Sequence, residues 1–327
     1  MAKSSNQKKK LILIRELLLE RTDEKHSVQM SEIIKYLNQN GVEADSRSVR
    51  SDIELLENMG MDIGRENGYS ILSREFELSE LKLLIDCVQV SKFITEKKTK
   101  ELIDKLSHLC SKYEAPELKR QIYRNRIKTT NESVHINLSL IQEAIQHRES
   151  ISFKYLQYTI NKDMEFRHGG KVYTVNPIAL IYSEDNYYLI AREDGGKADK
   201  HYRVDKIKDI DIDYNTHWQF SRNYKTVDVS KYITENFSMY GGETERVTIQ
   251  FTNAMAGVVI DRFGKDIQIR KADEEHFMIT VSVAVSPQFY AWVFGLGEGA
   301  KILEPKSVYK EMRKMLKDAH EMYVVKR

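Results

Sequence analysis

The sequence predicts an α+β protein with several domains. Its 327 residues exceed the usual length of one domain, and 41% of them are hydrophobic, which is enough for more than one core. Apolar residues recur at helical spacing as far as His147, alternate with polar residues from Ile151, and mark strands and helices in turn after Glu243. These three patterns predict helical domains first, then a small β-barrel, then a mixed C-terminal domain.

Residues 1–74 predict three short helices followed by a hairpin. Apolar residues at helical spacing mark helices over residues 8–21, 27–41 and 45–60, and Asp45 or Ser46 is placed to cap the third. Two short apolar runs follow, separated by a turn in which Asn-Gly supplies the positive φ that a hairpin needs. Three helices and a hairpin in this order predict a winged helix-turn-helix.

The third of these helices carries the candidate DNA contacts. If Val49 and Ile53 face the core, the opposite face presents two arginines and two hydroxyls near the free backbone amides of the first turn. Such a face suits contacts with phosphates and guanine edges in a major groove. Another arginine lies at the hairpin tip, which also favours DNA binding. The predicted DNA-binding residues are Ser46, Arg47, Ser48, Arg50, Ser51 and Arg65. The alternative is a solvated helix face on which Arg50 pairs with Glu54.

The stretch SRSVRSDIELLENMGMDIGRENGYSIL resembles the recognition helix and wing of winged-helix repressors. The matching positions are Arg47, Val49, Asp52, Ile53, Leu56, Gly60, Ile63, Gly68 and Tyr69. Ser48 replaces the usual threonine and Ser51 a common arginine, so one cationic contact is lost. The resemblance implies binding to double-stranded DNA. Because the domain carries twelve basic and twelve acidic residues, we expect its affinity to depend on their placement and on dimerisation.

Residues 75–130 predict a helical linker or dimerisation region. Two helix patterns there carry more apolar side chains than an exposed linker needs. They predict either a connector packed on its neighbours or the interface of a homodimer that sets the spacing of two DNA half-sites. The basic run that follows could reach DNA flanks or be a solvated linker, and it consists of Lys119, Arg120, Arg124, Arg126 and Lys128.

Residues 131–230 predict a helix and then short strands separated by turns, a pattern typical of a small β-barrel. The run YTVNPIALIYSEDNYYLIAREDGGKADKHYRVDKIKDIDI is similar to a WYL domain. Pro177 matches the proline of that family's pattern, and Tyr187-Tyr188-Leu189 matches its tripeptide, with tyrosine in place of tryptophan. Residues 202–207 match its last strand, with Lys206 in place of the second arginine. The resemblance implies an Sm-like barrel that senses nucleotides or single-stranded nucleic acid.

Basic and aromatic residues on these strands predict a pocket for an anionic effector. On one strand His201 and Arg203 share a face, and Tyr202 lies on the other. Cations next to aromatic rings are suited to bind a base together with its phosphate. The predicted ligand-binding residues are Tyr155, Tyr188, His201, Arg203 and Lys206. The alternatives are that Tyr188 belongs to the core, that Arg203 pairs with Asp205 on the surface, and that His201 is an ordinary surface residue.

Residues 231–327 predict the order β-α-β-β-α-β-α, which is ferredoxin-like. The segment FYAWVFGLGEGAKILEP resembles the C-terminal extension that commonly follows WYL domains, and its three glycines favour a helix end and turn over a phosphate loop. From Lys301 onwards there are eight basic and four acidic residues. Such a cluster is a solvated face unless the fold makes it a binding surface.

Motifs and composition narrow the class of function. The sequence lacks nucleophile-elbow, zinc-protease, C-x-x-C and Walker motifs, so we expect no enzyme, no metal and no cofactor. The two cysteines, Cys87 and Cys110, exclude a disulfide scaffold and fit a reducing cytoplasm, and neither a membrane span nor a signal peptide is expected. We expect a cytoplasmic, ligand-responsive transcriptional regulator. The alternative is a protein that binds RNA or single-stranded nucleic acid.

Overall fold

A computed structural model of the chain describes residues 2–118, 128–193, 196, 199–218, 232 and 234–324. The chain forms two compact units, Met1–Glu132 and Ser133–Arg327. The division lies two residues after the predicted boundary at residue 130, and the boundaries predicted at residues 74 and 230 stay predictions. Among the described residues, no helix is both long enough and apolar enough to cross a membrane.

The first unit opens with three helices and a two-stranded hairpin. The elements are α1 (Ala2–Arg21), α2 (Met30–Gln39), α3 (Ser46–Asn58), β1 (Ile63–Gly64) and β2 (Ser70–Ile71). The Asp45 carboxylate caps α3, because it accepts hydrogen bonds of 2.9 Å from the backbone amides of Arg47 and Ser48. At the hairpin turn Gly68 has a φ of 110°, and a Cβ there would lie 2.7 Å from the Val28 carbonyl oxygen. Glycine is therefore required where the wing meets the segment before α2.

Three further helices complete this unit: α4 (Leu78–Val90), α5 (Glu96–Ser107) and α6 (Ala115–Leu118). They enclose a small core that includes Leu81, Ile85, Cys110 and Leu118. The segment after α5 is bonded to the end of α1. The buried Ser111 hydroxyl donates to Asp23 at 2.5 Å, and the Lys112 amide donates to the Glu20 carbonyl at 2.8 Å.

Most of the predicted basic run lies outside the described residues, which exclude positions 119–127. Its last member, Lys128, is only 8% exposed. The Lys128 ammonium donates to the carbonyls of Val88 and Ser91 at 3.3 and 2.8 Å, at the C-terminal end of α4. Lys128 thus satisfies the last carbonyls of α4, a place that fits neither of the two alternatives, a DNA flank contact or a solvated linker.

The second unit begins with a helix and an antiparallel sheet. The elements are α7 (Val134–His147), β3 (Glu149–Tyr158), β4 (Met164–Phe166), β5 (Val172–Ser183), β6 (Asn186–Glu193), β7 (Lys200–Arg203) and β8 (Ile207–His217). The strands pair in the order β4-β3-β5-β6-β7, and β8 returns to pair with β3. The inner face carries a cluster of four aromatic rings with centroids 5.1 to 6.4 Å apart, formed by Phe153, Tyr155, Tyr173 and Tyr202.

The C-terminal part of the second unit is a four-stranded antiparallel sheet with helices. The elements are β9 (Glu243–Thr252), α8 (Ala256–Phe263), β10 (Ile269–Lys271), β11 (His276–Val285), α9 (Pro287–Gly295), β12 (Ala300–Glu304) and α10 (Lys306–Tyr323). This is the element order that the sequence predicts. The strands pair in the order β10-β11-β9-β12, so β10 and β12 lie at opposite edges. The buried residues Phe251, Ile279 and Phe289 belong to one core, to which α10 contributes Val308.

Candidate nucleic-acid interface and effector site

The exposed face of α3 presents two arginines, Arg47 and Arg50. Val49 and Ile53 are fully buried, whereas the predicted contacts Ser46, Arg47, Arg50 and Ser51 are exposed. Among the described residues, neither arginine side chain forms a hydrogen bond or ion pair, so the predicted alternative of an Arg50–Glu54 pair is absent there. Two guanidinium groups with their donors available, beside a helix N-terminus, can bind phosphates or base edges.

Lys10 fastens this helix to α1. It is a buried lysine, and its ammonium lies 2.8 Å from the Asp52 carboxylate and also donates to the Ser48 hydroxyl. Ser48 is half-buried and its oxygen is engaged in this contact, unlike the other predicted contacts on α3. Sequence reasoning missed this role, because Lys8, Lys9 and Lys10 form one polar basic run. The sequence signal for this ion pair is Asp52, an acidic residue within the stretch that resembles a DNA-recognition helix.

Arg65 joins the wing to α3. Its guanidinium forms two hydrogen bonds with the Glu57 carboxylate, one of them of 3.0 Å from Nε to Oε1. These bonds raise the pKa of Arg65, and the side chain remains about half exposed. Arg65 therefore reaches the surface next to α3 with part of its charge already matched, while Arg47 and Arg50 lack such a match among the described residues.

Tyr155 is on β3, and its ring belongs to the cluster of four aromatic rings. Its hydroxyl accepts a hydrogen bond of 2.9 Å from the backbone amide of Arg203, and burial raises the pKa of Tyr155 to about 12. The hydroxyl therefore stays protonated at neutral pH and positions the chain at the end of β7. The ring contacts Tyr202, which is on the other face of β7 from Arg203.

Tyr188 and Arg203 are direct cross-strand neighbours on β6 and β7 and share one face of the sheet. The Arg203 guanidinium forms a two-pronged pair with Asp205, with bonds of 3.0 Å from Nε and 2.8 Å from Nη2. These bonds raise the pKa of Arg203. Burial chiefly raises the pKa of Tyr188, so its half-buried ring stays neutral beside the cation.

Lys206 adds a second positive charge to this surface. It lies half-buried in the short helical turn Val204–Lys206. Burial is the main cause that lowers its pKa, and the neighbouring positive charges of Arg203 and Arg167 lower it further, against the opposing effect of Asp205. Arg167 is exposed on the turn Arg167–Gly170, and sequence reasoning missed it because the adjacent glycines predict only a turn. Three cations and one carboxylate thus lie close together.

His201 lies on the same face as Arg203 but contacts a different part of the chain. Its Nε2 atom is 2.6 Å from the Tyr232 hydroxyl, and burial lowers the pKa of His201. The imidazole is therefore neutral at pH 7. A small apolar cluster beside it contains Ile190 and Met239. Four of the five predicted ligand residues thus lie at or near the C-terminal end of β7, and His201 is held by Tyr232 in the segment after β8.

Two family models match the chain, a WYL domain over residues 137–212 and a WCX domain over residues 243–319. The chain carries a WYL domain followed by a WCX domain. All five predicted ligand residues lie inside the WYL match, and Tyr187-Tyr188-Leu189 is on β6. The winged-helix residues lie outside both matches, so their role is argued from geometry alone.

Searches for whole-chain relatives add little. A search of curated proteins returns no match. Among solved structures, the Proteasome accessory factor B/C (PafBC) of Arthrobacter aurescens aligns at 15% identity with a TM-score of 0.28, covering 98% of this chain and 49% of that chain. This chain thus spans about half the length of that protein. At this identity and score the assignment depends on the WYL and WCX matches.

Replacing Lys10 tests whether its ion pair holds α3. Lys10→Met should lower the free energy of unfolding by about 3 kcal/mol, because it leaves the Asp52 carboxylate near the core without its cation. Urea unfolding followed by circular dichroism measures the change, with Lys8→Met at an exposed position of the same helix as control. Equal stability of the two variants would show that the pair is not structural.

Replacing Tyr155 separates its role in the sheet from ligand contact. Tyr155→Phe keeps the ring in the aromatic cluster but removes the acceptor for the Arg203 amide, so we expect a loss of about 1–3 kcal/mol in unfolding free energy. Thermal unfolding of Tyr155→Phe and of Tyr158→Phe, an exposed tyrosine on the same strand, provides the comparison. If Tyr155→Phe unfolds like the wild type, its hydroxyl is free for a ligand.

Proposed function

We propose that this protein is a homodimeric, ligand-responsive transcriptional regulator. In this proposal the winged helix binds a two-fold symmetric duplex operator, and the WYL domain senses a nucleotide or single-stranded nucleic acid. The observation that carries it is the exposed face of α3, where Arg47 and Arg50 lie opposite the buried Val49 and Ile53. The WYL domain in the same chain, with cations beside tyrosines, supports the sensing role.

Dimerisation follows from the charge of the winged helix. Its basic and acidic residues balance, so one copy gains little electrostatic affinity for DNA. Two copies on a symmetric site double the number of base and phosphate contacts. The exposed apolar side chains Leu83 and Leu84 on α4 support self-association through the helical region.

Arg47→Ala and Arg50→Ala should each weaken operator binding by about 1–3 kcal/mol, because each removes a guanidinium from the face that meets the groove. The operator is first selected from random duplexes by the purified protein, and affinity and stoichiometry are then measured by fluorescence anisotropy. Arg15→Ala, an exposed arginine on α1, is the matched control. Unchanged affinity in both α3 variants, or a single chain per site, would contradict the proposal.

The proposed effector site is the surface formed by Tyr188, Arg203 and Lys206, with Arg167 as an additional member. A phosphate can share the Arg203 guanidinium with Asp205, and the exposed part of the Tyr188 ring offers a stacking face. An effector alters DNA affinity only if it binds one arrangement of the dimer better than another.

Arg203→Ala should weaken effector binding roughly tenfold or more, since a hydrogen bond to a charged group contributes about 1.5–3 kcal/mol. Candidate nucleotides and oligonucleotides are screened by calorimetry, and the best ligand is then tested for its effect on operator affinity. Arg192→Ala is the control, because Arg192 forms a similar half-buried pair with Asp199 on the same sheet. If both variants respond to the effector like the wild type, the site lies elsewhere.

The pairing order of the WYL strands, with β8 returning to β3, supports an Sm-like barrel, and the order β10-β11-β9-β12 supports a ferredoxin-like WCX domain. We propose no catalytic role, given the absent motifs, and a cytoplasmic location is supported by the free thiols Cys87 and Cys110.

The alternative of an RNA or single-strand binding protein is tested by replacing the duplex with single strands in the operator titration.

A further inference from the structure

The last helix of the WCX domain, α10, has one strongly basic face. At about 100° per residue its basic side chains fall within an arc of about 100°, opposite the buried Val308 and the partly buried Met315. The face, called here the α10 basic face, consists of Lys306, Lys310, Arg313, Lys314 and Lys317. All five side chains are exposed.

These cations are not neutralised within the described part of the chain. Lys317 forms a loose pair with Glu321 at 3.7 Å, and the other four cations of the face are in no ion pair with a described residue. By the same count Glu311 and Asp318 border the face next to Lys314, and Glu321 lies on it one turn after Lys317. From Lys306 to Lys317 the α10 basic face itself contains only positive side chains, and Glu321 ends it.

This arrangement costs the helix stability. Lys306, Lys310 and Lys314 form a row of like charges at i, i+4 and i+8, which destabilises an isolated helix. The first turn of α10 contains no acidic residue, and a lysine at the positive end of the helix dipole is also unfavourable. A polyanion would remove the repulsion along this row, so the face fits a polyanionic partner.

We propose that the α10 basic face binds the phosphate backbone of a nucleic acid. From Lys306 to Lys317 the helix rises about 16 Å, a length over which one strand of a duplex presents about five phosphates. An anionic membrane fits less well. A helix that lies on a membrane inserts its apolar face, whereas Val308 of α10 is buried in the core of its own domain.

This surface is independent of the winged helix and of the effector site. It lies in the WCX match, outside the residues assigned to operator or effector, and lysine side chains act on phosphates as point charges without base selection. Its contribution should therefore be equal for any sequence and strongly dependent on salt.

The test measures the salt dependence of binding by the full chain. Affinity for a short duplex of random sequence is determined by anisotropy over a range of salt concentrations, and log Kd is plotted against log salt. Lys310→Ala with Lys314→Ala should lower the magnitude of the slope by about 1.8, since two phosphate contacts are lost at about 0.9 each. Lys310→Gln with Lys314→Gln replaces this variant if the alanine pair fails to fold by circular dichroism.

The control removes two cations elsewhere in the same domain. Lys265→Ala with Arg270→Ala takes the same charge from exposed positions, and Arg270 is on β10, at the opposite sheet edge from β12. This variant should keep the wild-type slope. An equal fall in both variants would mean a general effect of net charge, and no fall in either, or no binding by the wild type, would overturn the proposal.

Two more arms separate this proposal from its alternatives. In the Arg47→Ala, Arg50→Ala background the contribution of α10 to the slope should persist, so a failure of the operator proposal leaves the result readable. Vesicles of phosphatidylserine and phosphatidylcholine are tested by co-sedimentation. Vesicle binding that depends on Lys310 and Lys314, with an unchanged DNA slope, would assign the face to membranes and overturn the proposal.

Discussion

A charge taken out of water must be matched, and this constraint decides which cations of the chain build the fold. Lys10 is matched by Asp52 and so ties α1 to α3, while Lys128 is matched by two carbonyls and closes the end of α4. Arg203 is matched by Asp205 beside a half-buried tyrosine. Within the described residues, the exposed cations of α3 and four of the five on the α10 basic face have no carboxylate partner, so they are available to a polyanion.

Hydrogen bonds at the end of α1 join the first three helices to the segment after α5. Ser111 is fully buried and donates to Asp23, and the Lys112 amide donates to the Glu20 carbonyl. Opening this contact would leave polar groups buried without partners, which is costly. On the proposed function, an effector that changes the spacing of two copies would therefore move residues before and after Arg74 together.

Local patterns in the sequence predict much of the fold, and long-range partners are what they miss. The cap at Asp45 and the buried stripe of Val49 and Ile53 follow from spacing along one helix. The alternation of a strand likewise predicts that Tyr202 and Arg203 lie on opposite faces. The pairing of Lys10 with Asp52 and of His201 with Tyr232 joins residues more than thirty positions apart. Only the tertiary fold brings such residues together, because periodicity carries no information about partners.

The charge balance of the chain explains why placement matters more than amount. With 51 basic and 49 acidic residues, the protein as a whole has almost no attraction for a polyanion. On the present proposals, α3 presents planar guanidinium groups that can discriminate base edges, whereas α10 presents mainly flexible lysines that bind phosphates alike in every sequence. The two surfaces would then contribute differently to DNA binding. Arg47 and Arg50 would provide sequence selection, and the α10 basic face would provide salt-dependent affinity that is equal for every sequence.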